Sequence, residues 1–460
     1  MDQGQLLHLL VALTVLLVVA HLVGRLATRL RQPRVAGEIL GGLLLGPTVL
    51  GLFAPAAQQA LFPSSGPVAA AMGAVEQLGL MMLMFLAGSE TRRLARGDRR
   101  LISSVVVASL VLPFAVGLAV AFGLDFGSFV GPANSEAALG LVVATAIAVT
   151  SIPVISRIML DIGIIGTSFA TVVLSTAIVE DVVLYTVVAV ALGIARAPGE
   201  AATGLPHLLG LDTGAISTGL YYGVTVLLLF GCALRFGPAA CRLIIGRRPA
   251  PKMGPEIGAT AGTTRCVLLV LAGAAAAAAL GIQPMFGAFL AGVVLAGQND
   301  GDRSVHEACR SFSMAFFLPL YFASVGLKLD LVRHFDLVLT AGIVVLACLV
   351  KLISVYAGAR LGGESHGPAV HLAAALNARG GPGIALATLT LSAGIINQTL
   401  YTTLIILAVS TSLLAAAWLR MAVHRGLPLR RQVSPQCPPE GPVSSRPEGP
   451  SGVAVDHQRP

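Results

Sequence analysis

Charge is scarce in this sequence: Asp, Glu, Lys and Arg make up 11% of its 460 residues, against about 25% in an average soluble domain. Hydrophobic residues make up 55%, and the mean hydropathy is +0.85. That balance excludes a water-soluble globular chain and predicts an all-α polytopic protein of the lipid bilayer. Cysteine is scarce and unpatterned. The six (Cys232, Cys241, Cys266, Cys309, Cys348 and Cys437) show no Cys-x-x-Cys spacing and lie mostly in or beside apolar runs. They read as small buried hydrophobes rather than a disulfide or zinc framework. Metal-binding histidine pairs, Gly-rich phosphate loops and paired nucleophile and base are also missing. An intramembrane enzyme therefore has little support, and no cofactor is expected.

What is there is a series of apolar runs. Thirteen of spanning length fall at roughly 4–24, 36–53, 68–88, 101–123, 137–158, 166–195, 215–243, 263–281, 284–298, 312–327, 337–359, 367–395 and 398–420. The net charge of +8 is distributed by loop. Alternate loops hold Arg25, Arg29, Arg31 and Arg34, then Arg92, Arg93, Arg96, Arg99 and Arg100, then Arg235, Arg242, Arg247, Arg248, Lys252 and Arg265, with Arg420, Arg425, Arg430 and Arg431 at the end. The opposite side holds Arg196, Lys328 and Arg333. Basic loops face the cytoplasm, so the pattern predicts the N-terminus outside and the C-terminus inside, and it removes nucleic acid as a partner. The first run has no basic region before it and no small-residue cleavage site, which predicts a retained helix rather than a signal peptide. Residues 422–460 turn to Pro, Ser, Gln and charge and are expected to form a disordered cytoplasmic tail.

Against this background two adjacent acids, Glu180 and Asp181, stand inside an apolar run. Ionisable groups in a membrane segment are costly and point to an ion or proton pathway. Weak internal symmetry indicates where they sit. Gly37-Glu38-Ile39-Leu40-Gly41-Gly42 and Gly287-Ala288-Phe289-Leu290-Ala291-Gly292 share Gly-x-x-Leu-x-Gly on runs of opposite direction. The first six and last six runs are thus read as an inverted repeat, with the seventh as a link. Transporters built this way place their sites at the midplane, on interrupted helices. The fifth run carries Thr150-Ser151-Ile152-Pro153 and the twelfth Arg379-Gly380-Gly381-Pro382-Gly383. Pro153, Gly380, Gly381 and Pro382 are the expected breaks of two crossing helices. At ~1.5 Å per residue, Thr150, Asp181, Lys351 and Arg379 each lie ~18–22 Å along their helices, near the middle of a core ~30 Å thick.

Side chains of adjacent helix residues point about 100° apart, so Glu180 and Asp181 cannot share one partner. Lys351 is the only lysine inside any run, and it is the expected counter-charge of one acid. The other acid becomes the carrier. A buried carboxylate can hold a proton and release it when a small cation arrives. Hard alkali cations want oxygen ligands, and Asp181, Thr150 and Ser151 with freed carbonyls would supply them. Competition between Na⁺ or K⁺ and a proton for one carboxylate enforces exchange, and Arg379 would offset negative helix ends or lock a carboxylate. Elsewhere, Glu38 is expected to be structural, in the first turn of its helix. Glu76 is open between an accessory or interface role and a buried hydrogen bond. His371 is expected to be a packing residue, and the Gly-rich patterns to serve close helix contact.

The sequence resembles bacterial monovalent cation:proton antiporters of the Kef and NapA-like branch over about residues 1–421. The resemblance is carried by Gln32 to Leu40 with Leu45-Gly46-Pro47, Gln77 to Gly88, Thr150 to Arg157, Glu180-Asp181, Gly287 to Gly292, Val325-Gly326, Lys351 and Arg379-Gly380. It implies a multi-pass homodimer of the bacterial plasma membrane. Mobile core helices (about 101–195 and 337–421) would work by an elevator motion against dimerisation helices (about 1–88 and 263–327), joined by a linker helix (about 215–243). It implies that Asp181 binds cation and proton and that Lys351 pairs with the preceding acid. That position is often Asp, Asn or Gln in the family. Glu180 resembles the electrogenic pattern, with a longer arm that leaves the stoichiometry open. Kef systems usually carry a cytoplasmic nucleotide-binding domain after the membrane part. None is expected here. The alternative reading is a sodium-coupled symporter of an organic anion on a related inverted-repeat fold. A channel fits less well than a carrier.

Overall fold

The computed structural model describes residues 2–30, 32–89, 98–123, 126–165, 167–195, most of 221–235, 255–296 and 309–429. Among the described residues regular structure is helical, apart from an isolated antiparallel bridge between Val130 and Ile396. The first nine helices are α1 (Gln3–Arg29), α2 (Arg34–Leu45), α3 (Leu50–Phe53), α4 (Pro55–Leu61), α5 (Pro67–Ser89), α6 (Arg99–Gly123), α7 (Glu136–Ala148), α8 (Ile152–Asp161) and α9 (Ser168–Ala195). Then come α10 (Pro255–Ala279), α11 (Pro284–Ala296), and α12 (Cys309–Leu327) with a π-helical turn over Ser313–Phe317. The last are α13 (Leu337–Leu361), α14 (His366–Leu376), α15 (Gly380–Ser392) and α16 (Gln398–His424).

Short polar side chains set several starts. Asp2 accepts from Gln5 N at 2.7 Å, Asp336 from Leu339 N at 2.9 Å and Asn397 from Leu400 N at 3.0 Å. Each satisfies an amide that the first turn leaves unbonded. Among the described residues eight helices, counting Arg34–Phe53 as one, are long and apolar enough to cross a membrane. This is a multi-pass membrane protein.

Some sequence expectations shift. The runs at 137–158 and 367–395 are each two shorter helices. The run at 215–243, expected as the linker, lies mostly outside the described residues, as do Arg31, Arg92, Arg93, Arg96, Arg196, Arg242, Arg247, Arg248 and Lys252. The first residues of the segment expected as a tail, 422–424, are helical in α16; residues 430–460 of that segment lie outside the described residues. Hydrophobicity ends at the bilayer surface, but backbone hydrogen bonding carries a helix on.

The helices pack in two sets. In the first, α1 lies on α2, α2 on α12, α5 on α11 and α12, and α10 on α11. In the second, α6 lies on α7, α9 and α13, α7 on α9, and α16 on α13, α14 and α15. Glycine permits the closest contacts within the first set. A Cβ at Gly42 would collide with the Ala323 carbonyl, and one at Gly326 with that of Ile39. Gly292 meets the Phe85 carbonyl and Gly88 that of Phe289 in the same way. The second and tenth runs thus pair as the ninth and third do, so the two copies of Gly-x-x-Leu-x-Gly make matching contacts.

Candidate ion-translocation site

The two interruptions lie against each other. Helix α7 stops at Ala148 and α8 starts at Ile152; α14 stops at Leu376 and α15 starts at Gly380. Ser151 N donates to Ala378 O at 2.6 Å, and Thr150 Oγ1 to Leu376 O at 2.8 Å. Gly380 has φ +28°, and a Cβ there would press on Val154 and, at 2.9 Å, on Ser151 Oγ. Pro153, Gly380, Gly381 and Pro382 are therefore not the breaks themselves. The non-helical residues are 149–151 and 377–379, and the expected breakers form the first turns that follow. A first turn suits proline, because its amides have no intrahelical acceptor to lose.

Stopping α7 inside the buried helix packing leaves carbonyls without intrahelical donors, which is costly unless other groups bond them. Two cations of the second set meet them. Arg379, 1% exposed, donates from Nε to Ala146 O at 3.1 Å and from Nη2 to Ile147 O and Ala347 O, both at 2.8 Å. Its Nη1 donates to Asn377 O at 3.1 Å and Asn377 Oδ1 at 2.8 Å. Arg379 thus serves a negative helix end, and no carboxylate is among these partners. Lys351 Nζ donates to Ala148 O at 2.5 Å, Ser109 O at 3.1 Å, and Glu180 Oε2 and Oε1 at 3.0 and 3.1 Å. Glu180 also accepts a short hydrogen bond from Ser109 Oγ. Glu180, Ser109 and Lys351 are fully buried.

Asp181 differs from its neighbour. It is fully buried, and neither carboxylate oxygen has a hydrogen-bond partner. Helix α9, which carries it, packs on α7, α8 and α14. Val149 of the first interruption shares an apolar cluster with Leu184, one turn beyond Asp181. Thr150 and Ser151 are fully buried there. The Thr150 proton is spent on Leu376 O, so its oxygen can act toward other groups only as an acceptor, while Ser151 Oγ accepts from Val154 N at 3.3 Å. Among the described residues no group of three His, Cys, Asp or Glu side chains could hold a metal ion. A lone carboxylate with hydroxyl and carbonyl oxygens suits a hard monovalent ion better than a transition metal.

Three other polar residues find their partners. Glu38 pairs with Arg34 Nε at 2.9 Å. Glu76 is held by Lys328 Nζ at 2.6 and 2.8 Å. His371 Nδ1 accepts from Trp418 Nε1 at 3.2 Å. The sequence reading missed Ser109 and Asn377. Ser109 was detectable, since the buried residues of α6 recur every fourth position as Leu101, Val105, Ser109, Pro113 and Gly117.

A cavity of about 790 Å³ reaches this region from the end where α1 meets α2. Its lining combines Gln32, Arg34 and Glu38 with Arg310 of α12 and Arg420 of α16, and it extends to Val154 and Gly381 beside the interruptions.

Comparison with known proteins identifies the family. Residues 14–425 match the family model described as sodium/hydrogen exchanger, transmembrane. The chain is 27% identical over 420 residues to the Na(+)/H(+) antiporter NhaS4 of Synechocystis, covering 90% of this chain and 97% of that one. It is 30% identical over 323 residues to the cation/H(+) antiporter 17 of Arabidopsis thaliana, covering 70% of this chain but 36% of that longer protein. Its fold is similar to the solved structure of the sodium proton antiporter MjNhaP1 from Methanocaldococcus jannaschii, with a TM-score of 0.56, 16% identity, and coverage of 92% of this chain and 99% of that one. With the family model spanning most of the membrane part, this chain belongs to the sodium/hydrogen exchanger family.

Proposed function

We propose that the chain is a secondary active transporter of the bacterial cell membrane, exchanging monovalent cations (Na⁺, K⁺ or both) for protons by alternating access. Proton and cation take turns on Asp181. One observation carries this reading: Asp181 is a buried carboxylate whose two oxygens have no protein partner. Such a group is stable when protonated or when it holds a cation, and unstable when bare. Thr150 and Ser151 complete the oxygen cage with carbonyls of the interruption. Glu180 has a different task, since Lys351 and Ser109 already use its oxygens.

The finer architecture belongs to the same proposal. The chain has thirteen spans in two inverted repeats, with its N-terminus outside and its C-terminus inside. Helices α7–α8 and α14–α15 are the broken, crossing pair, and the matched glycine contacts support the repeat. The set α6–α9 with α13–α16 moves as an elevator against α1–α5 with α10–α12. The latter set forms the homodimer, and residues 215–243 link the two. The reaction is transport, and the chain needs no cofactor.

A sodium-coupled symporter of an organic anion would need a free cationic donor beside the cation site at the interruptions. Arg379 spends all five N–H donors on protein oxygens, and Lys351 spends its three. The test is a proton-flux assay in proteoliposomes with Na⁺, Li⁺ and K⁺ added separately. The parent should move protons with at least one cation, and Asp181→Asn with none. A silent parent, or an Asp181→Asn protein with full activity, contradicts the proposal.

A further inference from the structure

The cavity lies at one end of α12 and α16, where Arg310 and Arg420 line it. The opposite ends of the same helices carry Lys328 and Gln398. At ~1.5 Å per residue, Arg310 is ~27 Å from Lys328 and Arg420 is ~33 Å from Gln398. These lengths match a hydrocarbon core of ~30 Å, so the cavity mouth and the Lys328–Gln398 contact belong to opposite membrane faces.

At that far face the two helix sets are bonded together. Gln398 Nε2 donates to Lys328 O at 2.7 Å, and Tyr401 Oη to Val325 O at 3.2 Å. The acceptors are Val325 in the last turn of α12, whose carbonyl also takes Lys328 N at 3.3 Å, and its C-cap residue Lys328. Each side is braced within its own set. On the acceptor side, the Lys328 ammonium is anchored to Glu76 of α5. On the donor side, Asn397 caps α16, and its Nδ2 donates to Ser128 O at 3.0 Å while its N donates to Phe129 O at 3.0 Å. Two side-chain bonds thus connect two separately supported surfaces.

We propose that Gln398 and Tyr401 are positioning residues that close the far side of the ion path, and that the Glu76–Lys328 pair presents the carbonyls they grip. The inference rests on the carrier reading above: a set that moves must release its neighbour on one face as it closes the other. Such release involves two side-chain bonds here. Each bond joins one side chain to one carbonyl; Gln398 Nε2→Lys328 O is exposed, so water replaces the lost partner there, while the buried Tyr401→Val325 bond is the one whose loss must be offset as the face opens. The two bonds hold the population in the state open to the cavity.

The test is the double variant Gln398→Ala with Tyr401→Phe, assayed in right-side-out and inside-out vesicles. Losing both bonds should raise the ratio of apparent cation KM on the cavity face to that on the far face by about tenfold. A purely structural role would change both faces by one common factor, and that result, or an unchanged ratio, overturns the proposal. Lys328→Ala, which cuts the brace, should move the ratio the same way. Hydrogen exchange gives a readout that needs no transport. Amides of 325–331 and 398–404 should exchange about tenfold faster in the double variant, with those of 146–151 and 377–380 unchanged. Equal rates at 325–331 and 398–404 in variant and parent overturn the gate. If the parent shows no cation-driven proton movement, the carrier reading fails while the exchange measurement still decides the gate.

Discussion

Arg379 has five N–H donors and five oxygens arranged to take them, three of which are carbonyls of α7 and α13. Lysine at this position would keep the charge but offers three donors without the planar fork. Arg379→Lys should leave at least two buried carbonyls unpaired and lower stability by about 2–4 kcal/mol, read from thermal unfolding in detergent. An unchanged melting temperature would show that charge alone, and not geometry, caps α7. Glu180 allows a sharper separation. Glu180→Gln keeps the shape and leaves the Lys351 ammonium buried without its counter-charge, which should destabilise by about 3–5 kcal/mol. Adding Lys351→Met to Glu180→Gln should recover much of that loss, measured by the same unfolding. If the double variant is no better than the single, the Lys351–Glu180 pair is not the coupled unit its 3.0 Å separation indicates.

At the scale of the element, glycine position decides whether a methyl group harms. Gly292 packs on the Phe85 carbonyl, whereas Gly342 of α13 has open space around it. Gly292→Ala should destabilise by about 1–3 kcal/mol through the forced separation of α5 and α11, while Gly342→Ala should be neutral or stabilise by up to about 1 kcal/mol. Comparable melting temperatures for these two variants would contradict the close packing. This contrast also shows what the sequence could reveal. The apolar runs and the paired Gly-x-x-Leu-x-Gly segments were legible because periodic hydrophobicity and small residues record packing directly. The acid pair and Lys351 were legible because charge in lipid needs a reason. The interruptions were placed a few residues off, since proline and glycine mark where a helix can begin, and the end of the preceding helix is set by its tertiary partners Lys351 and Arg379. Ser109 was overlooked because a serine in an apolar helix most often bonds its own backbone, and only the fourfold spacing of its neighbours turns it inward. The Glu76–Lys328 pair joins residues 252 positions apart, a distance that no local pattern carries.

The whole molecule combines a buried, unpartnered carboxylate with a cavity toward one end and, toward the other, the bonds of Gln398 and Tyr401 to carbonyls at the end of α12. On the proposed function, the Asp181 carboxylate serves proton and cation in turn. Competition has a definite signature. Each proton bound to Asp181 excludes a cation, so lowering the pH should raise the apparent KM for the cation, approaching about tenfold per pH unit once the protonated form predominates. The maximal rate at saturating cation should stay constant over the same range. The decisive measurement is therefore the initial rate of exchange in proteoliposomes against cation concentration at a series of pH values held equal on both sides. The account predicts curves that shift along the concentration axis and converge at saturation. A maximal rate that falls with pH while KM stays fixed would place proton and cation on separate groups and contradict it.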